Sequence, residues 1–130
     1  MANINQFKSC ILAVSSVLAI ISGAAYADAG EAVYKKNCMA CHQANGQGMA
    51  AVFPPLVDNP NIKDNPEYIA ETVVKGKSGA ITINGATYNG MMPPMAYMTD
   101  ADIAAVVNYV NKKFAGGSKE ISAENVKAIR

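Results

Sequence analysis

Cys38-Met39-Ala40-Cys41-His42 constrains this chain more than any other stretch. Two thiols are separated by two residues, and a histidine follows the second directly. On one turn of helix the two sulfurs lie on neighbouring faces. Both can then reach vinyl groups along one edge of a porphyrin, and the next imidazole falls beneath the ring. Cys-x-x-Cys-His is the spacing of c-type haem attachment. A chain that carries it has to fold around a large flat apolar group. His42 is the only histidine among the 130 residues. A second histidine ligand from this chain is therefore excluded, and a sixth ligand must come from elsewhere.

Residues 1–27 read as a secretory signal peptide cleaved after Ala27. Lys8 is the only charge before Asp28, Ser9 to Gly23 is an apolar run, and Ala25-Tyr26-Ala27 is a small-x-small cleavage pattern. The run is shorter than the roughly 20 residues that a helix needs to cross a bilayer. Cys10 lacks the small apolar triplet of a lipid-anchor site. The expected mature chain, residues 28–130, suits one small domain in the periplasm. It keeps Cys38 and Cys41 alone. A disulfide is the ordinary use of two cysteines in an exported protein. Over so short a loop it constrains little of the unfolded chain, and it leaves His42 without a role.

After Ala27 the chain holds 10 Lys and Arg against 10 Asp and Glu. That balance gives no footprint for nucleic acid. No second apolar segment is long enough to span a membrane.

The pattern along residues 28–130 is helical with long loops. Asp28 to His42 predicts a helix, with Gly30, Val33, Tyr34 and Cys38 at spacings of three and four. Phe53-Pro54-Pro55-Leu56 is a rigid loop in which two backbone donors are missing. Asn65-Pro66-Glu67 reads as a helix start with Pro in the first turn, and Gly76 ends it. Ile81 to Tyr88, with Asn84-Gly85 between, reads as either a small hairpin or an extended loop. Met91-Met92-Pro93-Pro94-Met95 cannot be helix. Thr99 caps a helix through Ile103, Val106, Val107, Val110 and Phe114, which Gly116-Gly117 stops. Glu120 to Arg130 is short enough for one more helix against the body. So thin a core, near 100 residues with several Gly/Pro loops, gains most from a large apolar cofactor at its centre.

With these residues in view the chain resembles the class I, monohaem cytochromes c of bacterial periplasmic type. The resemblance covers nearly all of residues 28–130. It implies a small all-α cytochrome c-like fold in which N- and C-terminal helices cross beside one covalent haem c, held through Cys38 and Cys41. Gly30 and Tyr34 stand eight and four residues before Cys38, as the family pattern asks, and Val106 and Tyr109 fall where the C-terminal helix meets them. Pro54-Pro55-Leu56 looks like the family's proximal loop. There a proline carbonyl accepts from the iron-binding histidine's other ring nitrogen, here assigned to Pro54 with Pro55 as the alternative.

The sixth ligand is implied to be the Met of a Met-Pro step, Met92, with Met95 second. Thioether softness suits iron but does not rank the four clustered methionines, most of which must be apolar filling. Tyr88 is carried over as a partner for haem propionates.

The resemblance implies an electron carrier with His42 and Met92 as metal ligands, not an enzyme. It would exchange single electrons with redox proteins such as a dehydrogenase, reductase or terminal oxidase, and act as a monomer. Lys35, Lys36, Lys75 and Lys77 offer either a steering patch or an ordinary solvated face. A haem enzyme or gas sensor with a displaceable sixth ligand is the alternative function. A haem-free thiol or metal module is a further one, against which stands the missing βαβ pattern.

Overall fold

Two helices meet at Gly30. Helix α1 (Ser22–Asn37) crosses helix α4 (Asp100–Lys113) so closely that a Cβ at residue 30 would lie 2.7 Å from Tyr109 Cβ and collide with the Ala105 backbone oxygen. Only glycine permits that approach. The computed structural model describes residues 22–130. The signal peptide expected over residues 1–27 lies outside them, except for its last six residues, which begin α1.

The remaining elements are α2 (Met39–His42), α3 (Pro66–Lys75), a hairpin of β1 (Ile81–Ile83) and β2 (Ala86–Tyr88), and α5 (Ala123–Ile129). The architecture is the all-α fold expected, with one two-stranded ribbon in a loop. α1 packs chiefly on α4, while α3 and α5 both pack on α4 and on each other.

Residues 28–42 differ from the single helix that their spacing predicts. The helix is interrupted at Cys38, whose φ of −117° departs from helical geometry. The Cys38 N–H still donates to Tyr34 O at 2.9 Å, and the His42 N–H then restarts the ladder by donating to Cys38 O at 2.9 Å. The period survives the break, so the spacing gives no sign of it.

The other elements follow their signals. Pro66 opens α3, and Gly76 closes it with φ +72°. The Asn84-Gly85 step resolves as a hairpin turn, both residues taking positive φ, with Thr82 paired to Thr87 and Ile81 to Tyr88. Thr99 caps α4 by accepting the Asp102 N–H at 3.1 Å. α4 ends at Lys113, with Phe114 as its cap.

The C-terminal tail is clamped by polar side chains. Asp64 Oδ1 accepts the Ser118 N–H at 2.6 Å and the Lys119 N–H at 3.0 Å. Those two donors hold the Asp64 carboxyl below the usual carboxylate range, Lys119 contributing most. Asn111, fully buried on α4, accepts from Asp64 N at 2.9 Å and donates to Lys119 O at 2.7 Å. Asn108 exchanges two bonds with Ile121. This brings α5 down so that Val126 is fully buried.

At the α1–α4 crossing, Tyr34, Tyr109 and Phe114 form an aromatic triangle with centroids 5.0 to 5.7 Å apart. The Tyr34 hydroxyl donates to Gln43 O at 2.6 Å. Burial, with smaller contributions from Cys38 and Tyr109, pushes the Tyr34 hydroxyl up to about 12.

Two outcomes follow from this crossing. Ala in place of Gly would gain about 1 kcal/mol of helix propensity at an ordinary site. At position 30 the collision outweighs it, and Gly30→Ala is expected to cost about 3 kcal/mol in urea unfolding. A variant as stable as the parent would refute the close approach. The second outcome is a pH dependence. A tyrosine in the unfolded chain ionises near 10, before the folded Tyr34 does. Stability therefore falls as pH rises from about 10 to about 12. Tyr34→Phe should cost about 1 kcal/mol at pH 7, through the lost bond to Gln43, yet lose less stability than the parent between pH 10 and 12. Equal losses in both proteins would show that Tyr34 does not drive the slope.

Candidate functional site

His42 closes α2 and is 9% exposed. Its Nδ1 lies 3.0 Å from Pro54 O. A carbonyl only accepts, so Nδ1 carries the proton and Nε2 keeps a free lone pair. Burial holds the imidazole below the usual histidine range, against the opposing pull of the Pro54 carbonyl. The ring is therefore neutral at neutral pH, the form that binds a metal.

The partner loop is itself fixed. Leu56 N donates to Gly46 O at 2.7 Å, which ties the proline loop to the turn after the motif. Pro55 O accepts from Asn59 Nδ2 at 2.8 Å, while Asn59 Oδ1 accepts the Asn61 N–H at 3.0 Å. The two prolines thus have separate partners, Pro54 facing His42 and Pro55 facing Asn59. Asn59 is buried and lines the same cleft. No local pattern in the sequence marks Asn59, because its role rests on the fold of the loop that brings Pro55 O to it.

Cys38, Cys41 and His42 open onto a cleft of about 1250 Å³, including its open mouth. Pro54 and Leu56 form part of its wall. Ile69 and Val73 of α3, Ile81 and Ile83 of the hairpin, and Val106, Val107 and Val110 of α4 add further apolar surface. No disulfide joins Cys38 to Cys41. Burial, followed by the neighbouring Cys41, pushes the Cys38 thiol up to about 11.

The structure sorts the four methionines. Met98 is buried in the core and does not line the cleft, whereas Met91 is 71% exposed at its rim. Met92 and Met95 line the cleft itself. Met92 is held by two backbone bonds to Lys77, its N–H donating to Lys77 O at 2.8 Å and its carbonyl accepting the Lys77 N–H at 2.9 Å. Gly76 makes this possible, since a Cβ there would sit 2.7 Å from Met92 O. Met95, 8% exposed, is tied through its N–H to Val73 O at 2.8 Å.

Tyr88 is placed differently from the other candidates. It is half-buried on β2 across from Ile81 and is not part of the cleft wall. Lys77 does line the cleft, with its ammonium 5.3 Å from the Tyr68 ring centroid.

This donor set fits a covalent porphyrin. The wall offers two thiols and one imidazole with a free Nε2 from α1–α2, thioethers from the methionine loop, and apolar surface for the ring. Among the described residues, no three His, Cys, Asp or Glu gather as an ordinary metal cluster. Met91, Met92 and Met95 bring thioether sulfurs to the same cleft as His42.

Known proteins agree with this chemistry. A model of the cytochrome c family matches residues 27–113. One cytochrome c-552 of Thermus thermophilus is 35% identical over 120 residues, covering 85% of this chain and 81% of that protein. A second Thermus thermophilus cytochrome c-552 is 36% identical over 110 residues, covering 78% and 83%. The cytochrome c subunit of a quinone alcohol dehydrogenase from Gluconobacter oxydans is 30% identical over 114 residues, covering 86% of this chain but 24% of that longer subunit. The chain belongs to the cytochrome c family, as a class I monohaem protein with a covalently bound haem c, and it is an electron carrier rather than an enzyme.

Proposed function

We propose that this chain is a periplasmic carrier of single electrons whose haem iron is ligated by His42 and Met92. The observation that carries the reading is the His42–Pro54 bond, which leaves Nε2 free in the cleft that Met92 also lines. Bound haem supplies one-electron oxidation and reduction at its iron.

The protein's residues set the conditions for that exchange. Pro54 holds the His42 ring in one tautomer and makes Nε2 a better donor. The Met92 thioether, a soft neutral donor, would favour ferrous over ferric iron and would keep oxygen or peroxide from binding there. The valines and isoleucines of the wall disfavour the extra positive charge of the oxidised state. Cys38 and Cys41 tether the cofactor, so it is not lost outside the cytoplasm.

Export would follow from the signal peptide read over residues 1–27. No helix among the described residues is long and apolar enough to cross a membrane. Small transient interfaces with a donor and an acceptor would suffice, with the chain acting as a monomer. The Gluconobacter relatives are cytochrome subunits of alcohol and fructose dehydrogenases. A quinone-linked or sugar dehydrogenase is thus a fitting class of donor, beside reductases and terminal oxidases as acceptors.

Ligation has a direct test. The parent protein should show the far-red methionine-to-ferric charge-transfer band, and Met92→Ala should abolish it while Met95→Ala keeps it. Met92→Ala should also lower the reduction potential by about 0.1 V or more, within the roughly 0.8 V that axial ligands span. Loss of the band in Met95→Ala alone would transfer the role to Met95. Rapid binding of CO or cyanide by the parent at neutral pH would instead favour a haem enzyme or gas sensor.

A further inference from the structure

The methionine loop is fastened at both ends. Its first end is held by backbone bonds, Met92 to Lys77 and Met95 to Val73. Its second end is held by one side chain from a remote element. Arg130, just past α5, donates from Nη1 to Ala96 O at 2.6 Å, from Nη2 to Met98 O at 2.5 Å, and from Nε to Asp100 Oδ1 at 2.5 Å. A single planar group thus spans residues 96 to 100, from the loop that follows Met95 to the first turn of α4.

We infer that Arg130 is a positioning residue that keeps the methionine loop closed over the cleft and so slows exchange of the sixth ligand. The inference rests on the ligation proposed above. An exposed ion pair alone would do little, because solvent screens it and its ordering costs entropy. Two of the three bonds here go to loop carbonyls, and only a guanidinium supplies the fork that meets all three acceptors. Arg130 is seated by α5, which Val126 buries and which Asn108 holds to α4 through Ile121. The C-terminal segment would thereby act on the iron's ligand without reaching the cleft itself.

The test uses the haem-loaded full chain with Arg130→Ala, Arg130→Lys and Asp64→Ala. Asp64→Ala loosens the tail at Ser118 and Lys119 but leaves the methionine loop untouched. Cyanide should bind the ferric Arg130→Ala protein about tenfold faster than the parent, the scale of one lost charge-assisted hydrogen bond. Amide exchange at residues 95–99 should quicken in the same variant. Asp64→Ala should lower the urea midpoint while leaving both readouts at the parent level. Arg130→Ala with parent-like cyanide binding and exchange, in a protein that shows the far-red methionine band, would overturn the role of Arg130 alone. A parent protein without that band would overturn the ligation reading and this role with it. Parent-like cyanide binding in Arg130→Lys would also overturn it, since charge without the fork would then suffice.

Discussion

The contact of α1 with α4 at Gly30 sets the position of everything on the attachment side of the cleft. α1 ends one residue before Cys38, so any change in its depth against α4 moves both cysteines and His42 together. Because glycine removes the Cβ, the backbone meets the Ala105 carbonyl region directly, and the aromatic triangle of Tyr34, Tyr109 and Phe114 locks the rotation of the pair. Tyr34 extends the lock through its bond to Gln43 O, beyond the helix break. The break at Cys38 therefore lies between two fixed points. His42 enters the cleft as part of a rigid unit.

The rest of the cleft is built from loops, and loops need explicit ties. The proline loop is tied to Gly46 by Leu56 and to His42 by Pro54, with Asn59 holding Pro55. Asn84 Nδ2 on the hairpin turn donates to Asp58 O at 3.1 Å. No buried side-chain nitrogen or oxygen among the described residues lacks a partner. A cleft walled this way is costly in conformational entropy for a domain of this size. The apolar face of a covalent cofactor offsets that cost by replacing water along the valine and isoleucine wall. Cofactor and loops are in this sense one core.

Much of this was legible in the residues, for identifiable reasons. Cys-x-x-Cys-His carries its meaning in its spacing. Pro66, Thr99 and Asn84-Gly85 act on the one or two residues beside them, so their elements appear where expected. The break at Cys38 was not legible, since residues 38, 41 and 42 keep a shared face with or without it. Asn59 and Arg130 were hidden for another reason. Their partners lie four residues away across a proline turn, or more than 30 residues away across the fold, and no local pattern encodes such a meeting. The four methionines were equivalent as donors in the sequence. Burial separated them, sending Met98 to the core and Met91 to the rim.

Under the proposed ligation the iron's other donor is a sulfur, and that choice shapes the loop that carries it. A thioether is neutral and polarisable, and it binds ferric iron weakly. The bond therefore cannot be relied on to organise ten residues of loop around it. Preorganisation has to come from the protein, by the general rule that ordering met in advance is not charged again to the bond. The methionine loop has this character. Pro93 and Pro94 restrict its backbone, Lys77 and Val73 hold Met92 and Met95 by main-chain bonds, and Arg130 closes the far end. A second histidine would have needed less of this, being the stronger ligand to ferric iron, but would have pulled the potential down. Under the proposed ligation, the double-proline loop and its three fastenings are the structural counterpart of a weak ligand kept in place.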